Sequence, residues 1–198
     1  MNALHSLAAT SALFLATTAA ADFAPPITEI VTYAPETELI VFSAPELSPG
    51  AQEAWDSAFV TSSYYSAFAL PKDGGYGYAT TTNSPTAARE IAMLECLTHN
   101  AQCRIIAEVR PMGYVEPVET AATVTVEVAG YLQELALEQA FRAAAISPDG
   151  AYSLVWGYGS LAEAENAAMT DCEGYRRPQA NPGDPTWPCV LLPLPRQK

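Results

Sequence analysis

The chain has 198 residues and a net charge of −13 at pH 7, from 22 Asp and Glu against 9 Lys and Arg. That balance repels nucleic acid and anionic membrane surfaces and so excludes both as partners. Only one apolar run approaches the length of a bilayer span, and it lies at the N-terminus.

That run, residues 3–21, carries Leu4, Leu7, Leu13, Phe14 and Leu15 and ends in Ala19-Ala20-Ala21 before Asp22. A hydrophobic core followed by small residues is the pattern of a secretory signal peptide. It departs from that pattern in having no Lys or Arg ahead of the core, so an uncleaved anchor is the alternative. Cleavage after Ala21 predicts an exported, periplasmic or secreted protein with no membrane span and with its whole acidic charge retained.

Residues 22–36 read as an irregular lead into a short strand, and residues 37–43 as a second strand rich in Ile, Val and Phe. Ser48-Pro49 opens a predicted helix to Phe59, with Ser48 as N-cap and Pro49 at the first helical position. Strands follow at residues 64–70 and 75–80, joined by a Pro71-Lys72-Asp73-Gly74 turn. Ser84-Pro85 starts a helix to about Leu97, and residues 103–109 close with a strand. Residues 112–120 read as a linker, residues 121–128 as a strand from alternating Thr and Val, and residues 131–141 as a helix.

The chain then repeats itself. Residues 143–172 align without a gap on residues 67–96 at an offset of 76. The identical pairs are Ala67/Ala143, Ala69/Ala145, Asp73/Asp149, Gly74/Gly150, Tyr76/Tyr152, Ser84/Ser160, Ala88/Ala164, Ala92/Ala168, Met93/Met169 and Cys96/Cys172. Roughly two or three identities are expected by chance, so a duplication is inferred. Ala164, Ala168 and Cys172 fall on one helical stripe, and Ser160 with Glu163 forms a capping box. The expectation is an α+β fold of two tandem homologous strand-strand-helix-strand modules, each a short helix on a mostly antiparallel sheet. The predicted organisation is a signal peptide at 1–21, a first module with its preceding strand and helix at 22–111, a linker at 112–120 and a second module at 121–198.

Four cysteines allow three disulfide pairings, and the repeat selects Cys96 with Cys103 and Cys172 with Cys189, one per module. A four-thiolate zinc site is the rival, but the paired CxxC spacing is missing. The residues 173–188, EGYRRPQANPGDPTWP, with adjacent Arg176 and Arg177, read as a variable surface loop much longer than the LTHNAQ between the first pair.

The order Asp-Gly-Ala-Tyr, then WGYG, a Ser-capped Ala-rich helix, a Cys at its end and PCVLL resembles a small repeat domain of unknown function found in exported bacterial proteins. The resemblance covers both repeats and implies export and a disulfide in each module. It carries over no catalytic residues. The first repeat departs from it, with Thr80-Thr81-Thr82-Asn83 in place of Trp156-Gly157-Tyr158-Gly159.

Candidate chemistry is sparse. His99 is the only histidine after residue 21, lies between two paired cysteines and has no G-x-S-x-G elbow to serve. The only lysines are Lys72 and Lys198, which excludes a pyridoxal-phosphate enzyme, and no cofactor or metal is expected. Asp73 and Asp149 are equivalent and would suit a carboxylate pair, although each precedes Gly in a turn where Asp is favoured for local hydrogen bonding. The aromatic strands are the functional signal. Tyr152, Trp156 and Tyr158 are predicted to alternate on one face, with Tyr76, Tyr78, Tyr64 and Tyr65 in the matching hairpin. They read either as core against Ala-rich helices or as an open binding surface. The function expected is therefore a non-catalytic binding or interaction module for an envelope protein or cell-wall component. A hydrolase of cell-wall or glycan material that uses acidic residues is the alternative.

Overall fold

The computed structural model describes residues 26–72 and 74–195; the segment expected to be a signal peptide, Asp73 and Lys198 lie outside them. The fold is α+β, with mostly antiparallel sheets and, among the described residues, four α-helices. Each α-helix starts the same way: the hydroxyl of Ser48, Ser84, Thr125 or Ser160 accepts a hydrogen bond from the N–H three residues on.

Strands β1 (Glu29–Val31) and β2 (Thr37–Val41) lead to helix α1 (Pro49–Ala54), which continues as one π-helical turn over Trp55–Phe59. The hairpin β3 (Tyr65–Leu70) and β4 (Gly77–Thr82), helix α2 (Pro85–His99) and strand β5 (Arg104–Pro111) follow, giving a four-stranded sheet in the order β2-β5-β3-β4. The helices cover opposite faces. Ala87, Ala88, Ile91, Ala92 and Cys96 of α2 pack on Tyr65, Ala67, Ala69 and Ala79. Ala51, Ala54 and Phe59 pack on Phe68, Leu70, Ile106 and Val109.

The second half begins with β6 (Ala121–Thr123) and α3 (Val126–Leu135). It continues with β7 (Phe141–Ile146), β8 (Tyr152–Tyr158), α4 (Leu161–Tyr175) and β9 (Val190–Leu191), whose sheet runs β8-β7-β9. Again the helices take opposite faces. Ala164, Ala168 and Cys172 of α4 meet Ala143, Ala145 and Val155, while Val128, Leu132 and Leu135 of α3 meet Ala144 and Ile146. The bounds of β7 and α4 are those of β3 and α2 moved by 76 residues, to the residue. Both disulfides are those expected, Cys96–Cys103 and Cys172–Cys189.

Several elements differ from the sequence reading. β4 starts two residues later than expected and α2 runs two further. The strand predicted over 121–128 ends at Thr123, because Thr125 caps a helix there. That helix stops at Leu135, so Phe141 opens β7 instead of ending a helix. The loop before Cys189 is not all surface: Trp187 is buried in the core of the first half, and its Nε1 donates to Glu90 Oε2 at 2.8 Å.

The halves are joined by more than the 112–120 segment. β1 pairs in parallel with β6, and Ile27 and Ile30 pack against the core of the second half. Asn83 donates from its main chain to Pro148 O at 3.0 Å and from Nδ2 to Ser147 O at 3.0 Å. Thr123 Oγ1 donates to Asn83 O. Among the described residues no helix is long and apolar enough to cross a membrane.

Candidate functional site: a cleft along the β4 edge

The tightest constraint near the site is at Gly77. A Cβ there would lie 2.2 Å from Cys96 N and 2.4 Å from Ala92 O, so helix α2 rests directly on the backbone of β4. This contact sets the angle between strand and helix, and the outer edge of β4 is left lining a cleft of about 670 Å3.

One wall of the cleft is 75–80 with Thr82, carrying Tyr76 and Tyr78; the other is Ile91, Glu95 and His99 of α2 with Asn100 just past its end. The second half supplies Asp149 from the β7–β8 turn and Arg177 from the long loop. Arg177 ties the end shut: its guanidinium pairs with Glu95, and its main-chain N–H donates to Asp149 Oδ2 at 2.7 Å. Asp149 also accepts from Ser147 Oγ and, at 3.3 Å, from Ala151 N. The carboxylate therefore does the turn work expected of Asp before Gly and in addition holds Arg177.

Tyr76 and Tyr78 lie 6.2 Å apart with rings 23° from parallel, and both stack on Phe68, at 5.9 and 6.0 Å. Tyr76 also rests on α1, where a Cβ at Gly50 would sit 3.7 Å from its ring. The pair is thus a supported aromatic flank, with Tyr76 exposed and Tyr78 half-buried.

The other predicted site residues do not join this cleft, nor do they share one face. Along β7 and β8, Arg142 pairs with Trp156 but Phe141 pairs with Tyr158, so Gly157, at φ +86°, is an extra residue in β8. Such a bulge reverses the alternation beyond it. Trp156 consequently lies on the α3 side with Tyr152, and Tyr158 on the α4 side with Phe141, which corrects the single-face expectation. All three are exposed, and Tyr152 stacks on Tyr131 of α3 at 6.4 Å. Tyr64 and Tyr65 are core residues.

They form a second polar feature, at the seam between the halves beside Thr123. Tyr33, Tyr64, Tyr65 and Tyr114 make a run of ring contacts at 4.8 to 6.4 Å. The hydroxyls of Tyr64 and Tyr65 are buried and, among the described residues, neither has a partner in hydrogen-bonding geometry, although Thr123 lies beside both. Desolvation pushes both phenols far above the ordinary tyrosine range. No metal cluster of three or more His, Cys, Asp or Glu occurs among the described residues.

The cleft brings Tyr76 and Tyr78, candidates from the sequence, together with Glu95, Asn100 and Arg177, which the sequence did not mark as site residues. The signal for Arg177 was its place in the longer of the two Cys loops. His99, expected in a loop, is the last residue of α2 and is exposed at the cleft.

Comparison with protein-family models, with curated proteins and with solved structures finds no match to this chain.

Proposed function

We propose that the protein is an exported binding module, built from two copies of one strand-strand-helix-strand unit, whose ligand occupies the cleft between the β4 edge and the second half. The observation that carries this reading is the cleft itself, about 670 Å3, formed by residues of both halves and flanked by Tyr76 and Tyr78. Its lining draws on a segment in which the two copies differ, since Arg177 comes from the inter-cysteine loop that is much longer than its counterpart at 97–102. The duplication is supported by the common offset of β3/β7 and α2/α4 and by bulges at equivalent positions, Thr81 and Gly157. Export is supported by the two disulfides.

The hydrolase alternative has two carboxylates in the cleft, Glu95 and Asp149. Arg177 holds both, and Asp149 accepts three hydrogen bonds, so neither is a free nucleophile. This weighs toward binding without catalysis. Titration of the chain from residue 22 onward against peptidoglycan fragments and envelope extracts tests the reading. A Tyr76→Ala/Tyr78→Ala variant is expected to lose retention at least tenfold, and Trp156→Ala to keep it. Equal retention by all three proteins would sink the site.

A further inference from the structure

β4 is the outermost strand of its sheet, hydrogen-bonded to β3 and to no other strand among the described residues. In an antiparallel strand alternate residues turn both N–H and C=O to the same side, so half of the β4 main chain faces away from β3. An edge of this kind is a template for another strand unless it is covered.

Part of it is covered by the protein itself. Past the end of β4, Asn83 donates its main-chain N–H to Pro148 O of the β7–β8 turn. Gly150 of the same turn sits so close that a Cβ on it would lie 3.0 Å from Thr81 O. The second half thus already uses the downstream end of this edge for a backbone contact. Upstream, residues 77–80 carry no such cover and instead line the cleft, facing Ile91, Glu95 and His99 across it.

The geometry points to an extended peptide as the occupant, added as a strand along residues 77–80 and continuing the contact that the β7–β8 turn makes at Asn83. This rests on reading the cleft as the ligand site. Four residues of edge span about 13 Å, enough for one short strand of a partner. The side chains of such a strand alternate. One set faces Tyr76 and Tyr78, which favours an aromatic or aliphatic residue. The other faces α2, where Glu95, among the described residues, is held by Arg177 in a half-exposed pair. A lysine or arginine of the peptide takes the place of Arg177 there, and the net charge of −13 draws a basic segment toward the cleft.

The test uses a displayed library of random dodecapeptides selected on the chain from residue 22 onward, with one selected peptide resynthesised with single backbone N-methyl groups. N-methylation at one set of alternate residues is expected to weaken binding on the order of tenfold, and at the other set to leave it unchanged. Amide hydrogen exchange should slow within 77–80. Raising salt from about 50 to about 500 mM should weaken binding several-fold, and Arg177→Ala should strengthen it. Uniform tolerance of N-methylation, protection confined to 156–158, weaker binding by Arg177→Ala, or a library that yields no ligand each overturns the inference. If peptidoglycan fragments still bind in a Tyr76- and Tyr78-dependent way, the cleft survives as a site and only strand addition fails. If neither probe binds, the site reading falls too.

Discussion

At the scale of single residues, the two halves solve one backbone problem with different side chains. Both hairpins contain an extra residue in their second strand, and it falls at Thr81 in one and Gly157 in the other, positions related by the offset of 76. Gly157 takes φ +86° freely, whereas Thr81 is a β-branched residue at φ +55°. The left-handed region costs an L-residue about 1–2 kcal/mol, and glycine returns about 0.5–1 kcal/mol of that as unfolded-chain entropy. The Thr81 side chain is exposed, so little packing is lost on removing it. Thr81→Gly is therefore expected to stabilise by about 0.5–1 kcal/mol, raising Tm by about 1–4 °C in calorimetry. A lower Tm would show that the threonine makes a compensating contact. The aligned identities marked turn, cap and stripe positions correctly, but a bulge is invisible to alternation. The expected strand over 75–80 stops short of Thr81, and WGY reads as rings on one face, until the left-handed residue is located.

At the scale of elements, what was legible depended on whether a segment's neighbours are local. The helices and hairpins of the repeats carry their own signals: Ser-Pro or a capping box at the start, alanines every fourth residue, Asp-Gly in the turn. The segment 121–135 misled because Val124, Val126 and Val128 alternate like a strand, while Val124, Val128, Leu132 and Leu135 have the spacing of a helix face, and it is these four that are buried. The Thr125 cap decides between the two. The long loop misled for another reason. Its prolines and charges describe its exposed middle, whereas Trp187 at its end is buried against residues far away in the chain. Trp187→Ala is expected to cost about 3–5 kcal/mol in urea unfolding, the range for emptying a large aromatic site. Trp187→Phe, which keeps most of the packing but loses the bond to Glu90, should cost about 1–2 kcal/mol. Near-neutral behaviour of both would return the loop to the surface.

At the scale of the molecule, the halves meet along a seam built from β1, β6, Asn83 and the tyrosine cluster, and that seam makes stability depend on alkaline pH. Tyr64 and Tyr65 are buried in the folded chain, and their phenols hold their protons to a higher pH than they would in the unfolded chain. The folded state thus binds more protons than the unfolded state above pH 10, and stability must fall as pH rises there. Below the unfolded value of about 10 their contribution is fully present. The chain has ten tyrosines, and of the other eight Tyr114, raised by burial, and Tyr131, raised by its hydrogen bond to Glu127, add to the same trend. Each fully shifted tyrosine contributes about 1.4 kcal/mol per pH unit, so the pair predicts a slope near 2.7 kcal/mol per unit. Urea midpoints should be level from pH 8 to 10 and then drop steeply. Tyr64→Phe should take about 1.4 kcal/mol per pH unit off the slope, because a phenylalanine leaves the rings packed and removes one proton from the balance. A level profile to pH 11 would mean that the seam opens enough to hydrate both hydroxyls, and that the two halves are not locked together through Tyr64, Tyr65 and Thr123.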